Sequence, residues 1–102
     1  MIAMEELSKI TVHNATMRIM GISVDPRVNH MFSISESGYL IVTDLNDKTE
    51  GGKFLSSQNL SGSGLKAMIH DTGRNLLFVA SGTGEVYILN CLPTVPELIA
   101  KV

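Results

Sequence analysis

The segment DPRVNHMFSISESGYLIVTD, Asp25 to Asp44, returns downstream as DTGRNLLFVASGTGEVYILN, Asp71 to Asn90. The two copies align without a gap: Asp25 with Asp71, Asn29 with Asn75, Phe32 with Phe78, Ser35 with Ser81 and Gly38 with Gly84 all stand 46 residues apart (71 − 25). A period of that length marks a repeat architecture. The recurring identities are turn residues around one strand, which is what a repeated structural unit keeps.

Working outward, each copy reads as strand, tight turn, strand. Asp25 to Asn29 is a turn, His30 to Ser35 a strand, Glu36-Ser37-Gly38 a turn in which Gly38 supplies a positive φ, and Tyr39 to Asp44 a strand. Upstream, Ile19 to Val24 reads as a strand ended by Asp25-Pro26, since proline has no N–H to give a ladder. Downstream, a long loop broken by Gly51-Gly52 leads to a strand over Phe54 to Asn59. The second cycle repeats this with strands at Leu65 to His70, Asn75 to Ala80 and Glu85 to Asn90. Glu97 to Val102 fits a closing strand or one helical turn. Glu5 to Val12, with Leu7, Ile10 and Val12, is expected to add a further strand before the first cycle.

Stretches such as LLFVA at 76–80 and VYIL at 86–89 are apolar at consecutive positions. That pattern belongs to sheets covered on both faces, whereas a sheet with one wet face alternates. The expected fold is all-β: two four-stranded antiparallel sheets arranged as propeller blades, plus the extra N-terminal strand.

The 102 residues carry a net charge of −2, are 44% apolar and 18% charged, and have a pI near 5.8. This is a globular composition rather than a disordered one. Lysine and arginine are scattered singly, so no basic stripe tracks phosphates and nucleic acid is not expected as a partner. The apolar runs fall far short of the roughly 20 residues a spanning helix needs, and MIAMEELSK has acids where a signal peptide begins basic. No membrane insertion is expected, and a soluble, cytoplasmic protein is. Cys91 is the single cysteine, which fits a reducing compartment, and the six methionines read as flexible core filler.

His13, His30, His70 and Cys91 lack the spacing that presents two ligands to one ion, so no metal or other cofactor is expected. Ser81-Gly82-Thr83-Gly84 and Gly62-Ser63-Gly64-Leu65-Lys66 are turns rather than a nucleophile elbow or a phosphate loop. Asp25 and Asp71 are expected to accept backbone N–H bonds within their own turns. No enzyme is expected.

Taken together, His13 before the first strand, Asp25-Pro26 in the first turn, Ser33-Ile34-Ser35-Glu36-Ser37-Gly38, and Thr43-Asp44-Leu45 closing the third strand resemble the WD40 repeat. In the second unit the matching positions are Asp71, Ser81-Gly82-Thr83-Gly84 and Leu89-Asn90. The chain has no tryptophan; Thr43 and Leu89 stand where the family's Trp would be, and Ser37 and Thr83 replace its turn Asp. The resemblance implies residues 1–12 as a strand of a preceding blade, 13–60 as a first blade and 61–102 as a second. It implies that the loops His13 to Arg18 and Ser61 to Lys66 share one face with the turns Glu36 to Gly38 and Gly82 to Gly84. Met17, Arg18, Glu36 and Lys66 are then the candidate binding residues, and the expected role is a non-catalytic platform for protein or peptide partners. Because family members close four to eight blades into a ring, two blades imply either a fragment of a longer propeller or a subunit that closes a ring with its own copies. Self-association through exposed blade faces is expected in both cases.

Overall fold

The structure, a computed structural model, describes residues 18–46 and 53–102. The strand expected over Glu5 to Val12, His13 and Met17 lie outside the described residues. Eight strands are present among those described: β1 Ile19–Asp25, β2 His30–Ser35, β3 Tyr39–Asp44, β4 Lys53–Asn59, β5 Leu65–Asp71, β6 Leu76–Ser81, β7 Val86–Asn90 and β8 Glu97–Lys101. They form two four-stranded antiparallel meanders, β1-β2-β3-β4 and β5-β6-β7-β8. The all-β architecture of two four-stranded antiparallel sheets expected from the repeat is thus what the chain adopts. The C-terminal segment resolves as strand rather than helical turn, because β7 offers it a ladder and the backbone pairs of Val86 and Val102 extend it (2.8 Å each way).

The turns explain the recurring identities. Asp25 Oδ1 accepts the Arg27 N–H (3.0 Å), and Asp71 Oδ1 accepts the N–H groups of Gly73 and Arg74 (3.1 and 3.2 Å). Each turn then closes on an asparagine in the left-handed region, Asn29 at φ 53° and Asn75 at φ 58°, a conformation that Asn tolerates better than most residues. At the other end of the strands, Ser35 Oγ accepts the Tyr39 N–H and Ser81 Oγ accepts the Glu85 N–H, both at 3.2 Å. Gly38 and Gly84 hold the positive φ (98° and 86°) at these turns. Even the irregularities repeat: register shifts at Ile19/Gly21 and Val42/Thr43 recur 46 residues on, at Leu65/Ala67 and Ile88/Leu89.

The two sheets stack with β1 and β2 against β5. From the first sheet Phe32, Ile34, Leu40 and Val42 point into the joint; from the second come Leu65, Leu77, Val79, Tyr87 and Leu89, with Cys91 beside them. Burying side chains of this size contributes about 1.5–3 kcal/mol each. Polar groups bridge the same joint: Ser56 Oγ donates to the Thr94 carbonyl (3.2 Å) and Gln58 Nε2 to that of Pro96 (3.0 Å).

The expectation that both sheets are covered on both faces holds only for the central strands of the first; at its edges Ile22, Val24 and Phe54 are exposed on the face away from the joint. The central strands of the first sheet are buried on either side, since Ser33, Ile41 and Thr43 on the face away from the joint are as inaccessible as Phe32 and Val42. The second sheet is covered only on its joint face. Its outer face, carrying Ala67, Ile69, Phe78, Ala80, Val86 and Ile88 by register, is apolar, with Ala67 and Ile69 exposed (Ile69 70%) and the other four half-buried. Consecutive apolar residues report what a strand can bury, whereas what covers it depends on which sheets are available.

Candidate functional site

Three regions carry the residues with chemical or binding capacity. The first is the end where the Gly turns meet. Glu36 donates its N–H to the Arg18 carbonyl (2.8 Å), and Arg18 Nε lies 3.7 Å from Glu36 Oε2. The Glu36 carbonyl occupies the space a side chain on Gly64 would need, while Gly82 donates its N–H to the Gly64 carbonyl (3.1 Å) and sits beside the Lys66 stem. Arg18, Glu36 and Lys66 are therefore brought to one end of the stacked sheets; Met17 lies outside the described residues. A hydroxyl row lies in the turns at the same end, with Ser61 and Ser63 at 2.7 Å, Ser63 and Thr83 at 3.5 Å, and Ser81 and Thr83 at 3.0 Å. The Arg18–Glu36 pair is exposed on both sides, and pairs of this kind contribute about 0–1 kcal/mol.

At the opposite end a polar cluster couples the sheets. His70, on β5, is hydrogen-bonded through Nδ1 to Ser23 Oγ of β1 (2.9 Å) and approached at Nε2 by Cys91 Sγ (3.5 Å). The Phe32 ring meets the imidazole edge-on, with centroids 5.3 Å apart and planes at 79°. Nearby Asp25, 1% exposed, is clamped by Arg27 through Nε to Oδ1 (3.2 Å) and Nη2 to Oδ2 (2.6 Å). The Arg27 hydrogen bond holds the Asp25 carboxyl below its ordinary value, against the opposing effect of burial.

Burial, followed by the nearby Asp25 charge, pushes the Cys91 thiol up. A nucleophilic cysteine needs the reverse, a stabilised thiolate with access to solvent, and Cys91 is 4% exposed. The Cys–His contact is thus arranged for packing. Sequence spacing gave no signal for this cluster, because Ser23, His70 and Cys91 come from three strands or strand ends that only the stacking of the sheets unites. Among the described residues no group of three or more His, Cys, Asp and Glu side chains is arranged to hold a metal ion, and no helix is long and apolar enough to cross a membrane.

The third region is the open outer face of the second sheet. Register sets its side chains in rows: Ile69, Phe78 and Ile88 form a ridge, and Ala67, Ala80 and Val86 a trough alongside it. A depression of about 150 Å³ opens there, lined by Ala67, Met68, Ile69, Phe78, Ala80 and Val86. No charged side chain stands in either row. Sequence reasoning located these residues in strands and expected exposed blade faces to associate, but it named no residue on them.

Comparisons with protein-family models, with curated proteins and with solved structures returned no match to this chain.

Proposed function

We propose that this chain is a non-catalytic protein-interaction scaffold made of two blades of a WD40-like β-propeller, spanning residues 13–60 and 61–102 and working in a reducing compartment such as the cytoplasm. The observation that carries the reading is the open outer face of the second sheet, apolar over three adjacent strands. An unbroken apolar patch of that extent on a soluble domain marks an interaction surface. The meander order of both sheets and their stacking through β1 and β5 support the propeller-blade reading. The end bearing Arg18, Glu36 and Lys66 supplies a second, polar surface of the kind on which a peptide can be seated. The buried free thiol of Cys91 is in keeping with a reducing compartment.

The test is site-specific photocrosslinking in cells, with benzoylphenylalanine in place of Ile69 or of Arg18. The reading expects discrete protein adducts at Ile69 that disappear when Ala67→Asp is added on the same face and persist when Ile22→Asp is added on the first sheet. Folded chain that yields no protein adduct from either position overturns it.

A further inference from the structure

The joint within the chain shows what can lie against a face of this kind. Because the second unit repeats the first at 46 residues, the outer face of the second sheet is the repeat of the joint face of the first: Ala67 stands for Gly21, Ile69 for Ser23, Phe78 for Phe32 and Ala80 for Ile34. By the same shift, the face that the second sheet turns into the joint is the repeat of the first sheet's outer face, where Ile22 stands for Met68 and Val24 for His70. Ile22 and Val24 are 62% and 43% exposed, and Ala67 and Ile69 are exposed on the second sheet.

Carried along the repeat, each contact of the joint becomes a contact between two copies of the chain. Across the joint Ser23 is bonded to His70, the Phe32 ring meets His70 edge-on, and a Cβ on Gly21 would stand 3.7 Å from Met68 Cβ. The equivalents are Ile69 against Val24, Phe78 against Val24, and Ala67 against Ile22 of the next copy. The exchange is matched on both sides: a hydroxyl facing an imidazole is replaced by an isoleucine facing a valine. A change on one side alone would set a polar group against an apolar one with no hydrogen bond to offset its loss of water. The methyl group that Ala67 adds falls at ordinary van der Waals distance, so β1 of the next copy can approach β5 as closely as β5 approaches β1 in the joint. The depression over Ala67, Ile69, Phe78 and Ala80 is where Ile22 and Val24 arrive.

We propose that the outer face of the second sheet takes β1 of another copy of this chain, head to tail, so that the joint within the chain is repeated between chains. This rests on the reading of that face as an interaction surface and names its partner. Such a contact uses a different surface on each side and makes a ring when the rotation closes. With two sheets per copy and about four to eight per closed propeller, the ring holds about two to four copies.

Sedimentation velocity and light scattering of the intact chain, from low micromolar to several hundred micromolar, test the proposal. The expected result is a closed species of about two to four copies and no polymer. Ile69→Asp and Ile22→Asp, both at largely exposed positions, are each expected to weaken assembly about 100-fold, since a charge enters the apolar contact. Mixed in equal amounts, the two variants are expected to form a one-to-one pair and nothing larger, because each supplies the face that the other lacks. Circular dichroism establishes that both are folded. A monomer throughout the range overturns the proposal, as does assembly that survives either substitution or a mixture that does not pair. In cells, an Ile22→Asp chain with the crosslinker at Ile69 still takes a native copy, whereas its self-adduct is expected to vanish when every copy carries Ile22→Asp. If purified chain stays monomeric while Ile69 crosslinks to other proteins in cells, head-to-tail assembly fails and the scaffold reading stands. If neither assembly nor any adduct at Ile69 or Arg18 is found, both fail.

Discussion

Gly38 and Gly84 occupy equivalent turns at similar positive φ, yet their surroundings differ. A Cβ on Gly38 would run into the Ser61 carbonyl, whereas a Cβ on Gly84 would meet nothing within van der Waals reach. Gly84→Ala is therefore expected to cost about 1–2 kcal/mol, the backbone penalty alone. Gly38→Ala adds a clash with main chain that cannot swing aside and is expected to cost at least about 3 kcal/mol. Urea unfolding of the two variants side by side measures the difference, and equal losses would mean that only backbone conformation matters here. Asp25 gives a second expectation at this scale. Its folded-state pKa lies below the ordinary 3.8 because of Arg27, so its stabilising contribution is present above the unfolded value and lost as pH falls through the folded one. Asp25→Asn should lower stability near neutrality and flatten the decline in urea midpoint between about pH 5 and about pH 2.

Most of the elements were legible in the sequence. β2 and β3 fall where the turn residues put them, and the other strand ends move by a residue because a ladder can extend or stop without changing the turn. Asp25, Asn29, Gly38 and their repeats are legible because each does a local job, accepting a neighbouring N–H or taking a left-handed φ. The polar cluster was not legible: His70 finds Ser23, Phe32 and Cys91 across 47, 38 and 21 residues of sequence. Nor was the pairing of Arg18 with Glu36, which depends on β1 running beside β2. β8 is an edge strand exposed along its length, held by the β7 ladder and by Lys101 Nζ at 3.1 Å from Glu85 Oε2.

The molecule has one core shared by two sheets, and this decides how it unfolds. Neither sheet buries its joint face without the other, so removal of Leu89, fully buried in that joint, is felt by both. Leu89→Ala is expected to cost about 2–5 kcal/mol and to lower amide-exchange protection in β2 and β3 as much as in β6 and β7. Protection lost from β5–β8 alone would show instead that the first sheet stands independently. The sequence by itself determined the strands, their turns and their repeat, because those follow from φ preferences, short-range hydrogen bonds and apolar pattern within some 20 residues. Only the tertiary structure decided which faces are covered. Burial is a property of two surfaces meeting, and the strands of the second sheet carry the same apolar pattern whether a neighbour lies on them or not.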